Sequence, residues 1–258
     1  MAVETYYYGQ GVISLAIRDA VTGVPGPYRD IGDVSAFTVK LTTEKVEHKE
    51  SRTGQKGLAR SFPVGKTATI DMTMHQLDPD NLSLTLYGTV VNTAGGTVTA
   101  ESLPADLVVG NEVRLANPGV SELVITDSTP TTPKTLVLDT DYGVNPAFGR
   151  VTILNVTGLV QPFKAAYTYA ARKAVGMFTA AQPNIALRYE GVNLAENNAP
   201  VIAEYYKVAP DPLQELALIT SGNDVAGMAV TAPILLDSTK PATGPLGQYG
   251  AITQVAAA

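Results

Sequence analysis

Between positions 67 and 75 the chain alternates without a break. Ala68, Ile70, Met72 and Met74 fall on one side of an extended backbone, and Thr67, Thr69, Asp71, Thr73 and His75 on the other. Only a strand with one face in a core and the other toward water satisfies this pattern. A slip of one residue buries Asp71, at a cost on the order of several kcal/mol for an unpaired charge. The strand therefore has one register and needs an antiparallel partner.

The preceding stretch, 28–66, supplies that partner. Phe37, Val39 and Leu41 share one face; Thr38, Lys40, Thr42 and Glu44 share the other. The apolar run then stops. Residues 44–52 are almost all charged or polar, Gly54 and Gly57 follow, and Pro63 begins the return. This predicts a long strand running off a sheet into an extended charged loop, 47–66, of the kind that is either functional or a solvated hairpin tip. The polar faces of the two strands join into one wet surface.

Much of the remaining chain also reads as strand. Residues 12–18 alternate, with Val12 and Ser14 opposite Ile13, Leu15 and Ile17, and Gly and Pro at 22–27 make a turn. Tyr6, Tyr7 and Tyr8 are either a first strand or frayed terminus, or an arm that docks on a neighbour. The one helix is predicted over about 78–87. Asp78 is its N-cap, Pro79 fits the first turn, Leu82 and Leu86 share a face, and Gly88 ends it. From 93 to 163 Thr, Ser, Asn, Gly and Pro accumulate between short strand candidates at 112–115, 123–126, 135–138 and 151–156. That stretch reads as a small inserted β domain, dividing a main β domain into 1–92 and 164–258. Larger strands return at 165–172, 185–190, 201–208, 213–220 and 225–236, with a turn at 221–224. The tail 239–258 reads as extended or mobile.

Chemistry is bounded mostly by what is missing. The chain has no cysteine, which excludes disulfides and thiol catalysis, and two histidines far apart, His48 and His75. His48 reads as solvated, and His75 as placed to pair with a carboxylate. Metalloprotease, nucleophile-elbow and zinc spacings are absent from the sequence, so no catalytic, cofactor or metal residue is assigned. Gly65, Lys66 and Thr67 resemble the end of a phosphate-binding loop. However, Arg60 stands where that loop needs its first glycine, and a strand follows instead of a helix. Asp78 and Asp80 lack calcium-loop spacing, and Asp139 and Asp141 fit a turn better than a metal site. A net charge of -6 argues against tight nucleic-acid binding. No uncharged apolar run is long enough to span a bilayer, and the first eleven residues lack a signal peptide's regions, which predicts synthesis in the cytoplasm.

The order of elements resembles that of the phage major tail tube proteins. The likeness rests on a strand, a turn, a long strand, a charged loop, an alternating strand and then DPDNLSLTLYG. It extends to LRYEG, VIAEYYKVAPDPLQELALI and DVAGMAVTAPILLDS near the end. It covers about 1–90 and 164–240. The resemblance implies a β-sandwich or barrel with one short helix, six copies in a ring, and rings stacked into a virion tube that conducts DNA from capsid to host. It also implies contacts with a tape measure protein and with tail terminator or tip proteins, and no membrane. Under it, Lys40, Thr42, Glu44, Thr69, Asp71 and Thr73 face the lumen, and Glu47, Lys49, Glu50, Arg52 and Lys56 belong to a loop between subunits. Two other classes fit a β-rich chain. A carbohydrate-binding or adhesive sandwich suits the tyrosines but lacks tryptophan, and a hydrolase needs a base and nucleophile that the sequence does not show.

Overall fold

A computed structural model describes residues 5–221 and 225–255. The start of the tyrosine-rich segment and most of the turn expected at 221–224 lie outside the described residues. The strands run β1 (Gly9–Ile17), β2 (Arg29–Asp30), β3 (Val34–Lys49), β4 (Leu58–Met74), then α1 (Pro79–Thr85). They continue through β5 (Val90–Thr93), β6 (Gly96–Ser102), β7 (Glu112–Arg114), β8 (Val120–Thr126), β9 (Tyr142–Asn145), β10 (Arg150–Ile153), β11 (Lys164–Tyr169) and β12 (Arg172–Val175). β13 (Ile185–Asn193), β14 (Ala199–Val208), β15 (Met228–Ile234) and β16 (Gly250–Gln254) complete the chain. The protein is mainly β, its sheets antiparallel, with α1 as the only α-helix among the described residues. It divides into two compact units: Met1–Val90 with Val175–Ala258, and Val91–Ala174.

In the first unit one sheet runs β2-β1-β13-β14-β15-β4-β3, with β16 also on β14. β14 and β15 pair only at Val208 and Ile234, so the sheet folds over there. β3 thereby faces β13, where the Phe37 ring stacks on Tyr189 at 6.0 Å and meets Tyr205 at 6.0 Å. The sheet does not close into a barrel, because β3 and β1 remain unpaired with each other. Ile13, Leu15, Ile70, Met72, Met74, Leu187 and Val230 fill the core between the layers. Each such side chain contributes about 1.5–3 kcal/mol on burial.

The second unit packs two three-stranded sheets, β7-β10-β9 and β6-β11-β8, around Ile125, Val151, Ile153, Phe163, Ala165 and Tyr167. β11, expected to begin the return of the main domain, is the central strand of the β6-β11-β8 sheet. Its alternation buries Ala165 and Tyr167, and their burial partners are the residues before them in sequence. The 135–138 candidate makes only isolated bridges at Thr135 and Leu138. Asp141 explains why: its carboxylate accepts from Val137 N at 2.8 Å and Asn155 Nδ2 at 2.9 Å, tying the loop into a turn.

Helix α1 starts as expected, with Asp78 accepting from Asp80 N and Asn81 N. Its fully buried residues are Asn81, Leu84 and Thr85, while Leu82 packs on the core half-buried and Leu86 is half-buried. Asn81 donates to Ile31 O and Gln76 O and accepts from Arg29, joining β2 and the β4 exit to the helix. The left-handed residue after the helix is Tyr87, φ 49°, while Gly88 N donates back to Ser83 O. Glycine is needed at 88 for proximity, since a Cβ there would lie 2.1 Å from Gly176 O.

The C-terminal tail is also structured through Val255. β16 pairs with β14, and Asp237 sits buried against Arg18 at 2.9 Å. Burial alone would raise the Asp237 pKa, but bonds from Thr239 and Arg18 outweigh it and hold the carboxyl below its usual range. The segment 213–220, expected as a strand, has no regular structure: Leu213 and Leu216 anchor it on the core and leave Leu218 and Ile219 outside. Ile17 is exposed too, departing from the expected β1 face.

A candidate assembly surface

β3 and β4 form one hairpin paired from Val34↔Met74 to Lys49↔Leu58. The expected loop at 47–66 is thus mostly ladder, and only residues 50–57 turn. The strands persist because backbone pairing does not require a core beneath it, and Val46, Phe62 and Val64 keep strand propensity among the charges. Glu50 closes the tip, accepting from Arg52 N, Thr53 N and Thr53 Oγ1. The Thr53 hydroxyl bond is the leading cause that holds its carboxyl below the usual range. Glu50 is therefore engaged in its own turn. Glu47, Lys49, Arg52 and Lys56 are exposed along the outer hairpin and its tip.

The register brings the six expected lumen residues onto one face. Lys40 lies opposite Thr69, Thr42 opposite Thr67 and Glu44 opposite Gly65, while Asp71 and Thr73 continue the row beside Thr231 and Ala229 of β15. The Lys40 ammonium lies 2.7 Å from Asp71 Oδ2, and Thr231 Oγ1 donates to Asp71 Oδ1 at 2.7 Å. These contacts, Lys40 first, hold the Asp71 carboxyl below its ordinary range. The Lys40 charge is thus matched locally. His75 Nδ1 faces Ala226 O at 3.1 Å, so its partner is a backbone carbonyl and not a carboxylate. His48 lies opposite Arg60 on the outer hairpin, exposed.

Beyond Glu44 the surface changes. The register shift there leaves Val64 without an opposite residue, a bulge that exchanges which side chains of β4 share the Lys40 face. Val46 then lies opposite Phe62 and His48 opposite Arg60, with the Arg60 guanidinium 5.9 Å from the Phe62 ring centre. Leu41 is 80% exposed, Val46 46%, Leu58 56%, Phe62 44% and Val64 57%. Leu41 shares a strand face with Phe37 and Val39 in the sequence pattern but, unlike them, does not pack on the core. A two-stranded arm with both faces wet, carrying Val46, Leu58, Phe62 and Val64 with Leu41 exposed at its base, is a candidate contact surface. The even spacing of Leu58, Phe62 and Val64 was the available sequence signal, masked by the flanking charges.

At the opposite edge, Tyr6, Tyr7 and Tyr8 pack on their own chain. Tyr8 N donates to Asn193 Oδ1, Tyr6 N to Glu196 Oε1, and the Tyr7 hydroxyl lies 3.3 Å from that of Tyr189. Burial, reinforced by Tyr7, raises the Tyr189 phenol above its usual pKa. Among the described residues no group of three or more His, Asp or Glu side chains is placed to hold a metal ion, and no helix is long and apolar enough to cross a membrane.

These features define a class: an antiparallel β protein of two units, with a projecting hairpin and a polar sheet face. The chain belongs to the family described as protein of unknown function UCP028589, whose model matches residues 6–253. A comparison with curated proteins found no match.

Proposed function

We propose that this protein is a structural subunit of a phage tail tube and not an enzyme. Six copies form a ring, stacked rings form the virion tube, and the tube conducts DNA. The observation that carries this reading is the β3–β4 arm, which exposes Leu41, Val46, Leu58, Phe62 and Val64 along a paired ladder that nothing else among the described residues covers. A neighbouring subunit is the natural cover, since arms of this kind gain stability only when their apolar residues leave water. The face of Lys40, Thr42, Glu44, Thr69, Asp71 and Thr73 suits a lumen. It is polar and its Lys40 is paired with Asp71, so it offers passing phosphates no free row of cations. A tape measure protein would fill that lumen during assembly, and terminator or tip proteins would cap the ends.

Electron microscopy of the purified protein over a concentration series tests the reading. Rings with a central hole, or tubes, are the expected result. Particles that stay monomeric at every concentration contradict it.

A further inference from the structure

The open side of the first unit's sheet holds a cleft of about 1150 Å³. Its walls are two strand edges with no strand partner among the described residues. One is β1 before Ile13, since β2 pairs with Ser14 and Leu15 and Ile31 N donates to Ile13 O. The other is the outer edge of β3. Tyr7, Tyr8, Phe37, Tyr189 and Tyr205 line it, and Asp33 is the one charged residue among its lining side chains. Unpaired edges beside aromatic side chains recognise extended chain bearing apolar groups.

We infer that this cleft receives the outer half of the β3–β4 arm from a second copy, an inference that rests on the tube-subunit reading. Charge favours this occupant. Residues 43–66 carry six cations and three carboxylates, a net +3, in a chain of net -6, leaving -9 (-6 minus +3) on the rest. The first unit outside the arm holds fourteen of the carboxylates and only six cations. A basic arm is therefore drawn to the acidic body of another copy. The arm also has the right surface: Val46 and Phe62 form a cross-strand apolar pair, with Arg60 two residues beyond Phe62 on the same face. In the proposed seating Val46 and Phe62 meet the cleft aromatics and Arg60 pairs with Asp33, the one charge of the lining. Burying the exposed parts of those side chains supplies the attraction, and the Arg60–Asp33 pair sets the register.

Charge reversal tests the contact. Arg60→Asp and Asp33→Arg should each raise the concentration needed for assembly at least tenfold, and the double variant should restore it to within about threefold. Circular dichroism should show each variant folded. Since the chain has no cysteine, Phe62→Cys combined with Ser35→Cys should give a ladder of disulfide-linked oligomers under oxidation, with each single variant stopping at dimers. Tubes that form normally in both charge variants, with no ladder, overturn the cleft assignment and leave the tube reading standing. A ladder from Ser35→Cys with Leu218→Cys instead assigns the cleft to the exposed segment near Ile219 and overturns this occupant. Failure of the unaltered protein to self-associate overturns both readings.

Discussion

On the tube-subunit reading, replacing Phe62 by Ala separates assembly from folding. An aromatic side chain carries about 150–250 Å² of burial, and Phe62 keeps 44% of its surface exposed. Docking would remove about 65–110 Å² from water, worth about 2 kcal/mol at about 25 cal/mol per Å². That corresponds to about 30-fold in the association constant. The critical concentration for assembly, read by light scattering and sedimentation, should therefore rise about 30-fold. No residue of the outer arm belongs to the core cluster of the first unit, so the subunit itself should barely respond. Its melting temperature should change by less than about 2 °C. An unchanged critical concentration alongside an unchanged melting temperature would refute the argument, because Phe62 would then face solvent in the assembled state as well.

Asn81→Ala removes a buried side chain that donates to Ile31 O and Gln76 O and accepts from Arg29. It should lower stability to urea by about 2–4 kcal/mol, whereas Ser83→Ala should change it by less than about 0.5 kcal/mol. In the second unit, burial pushes the Asp127 pKa up, but bonds from Thr129, Lys134 N and Val160 N outweigh it and leave the carboxyl well below its usual range. A depressed folded-state pKa gives stability that is complete above the unfolded value of about 4 and fades as pH falls toward the folded value. Asp127→Asn should therefore destabilise at neutral pH and flatten the acid limb of a pH–stability curve. Replacing 94–171 with a short turn should leave a soluble, folded first unit by circular dichroism. Excising 93–163 should not, since Ala165 and Tyr167 of β11 lose the core they are buried in. Asp71→Lys places a second cation beside Lys40 on a surface already in contact with water, so the protein should fold; on the tube-subunit reading, the defect should appear in DNA delivery by assembled particles.

Period-two patterning was enough to establish the β class, the register of β4 from Ala68 to Met74, and the polar row from Lys40 to Thr73. Each follows from which side of a strand a residue occupies, and that depends on nearest neighbours along the chain. The N-cap at Asp78 was legible for the same reason, since its partners lie two and three residues away. The outer arm was not legible as ladder, because its pairing is extended from the inner register and its charges resemble those of a loop. The place of β11 depended on which earlier strands flank it, and alternation is identical in either unit. The cleft joins Phe37 to Tyr189 and Tyr205 only because the sheet folds over where β14 meets β15. Contacts across some 150 residues of chain come from that single bend, and local patterning carries no signal for it.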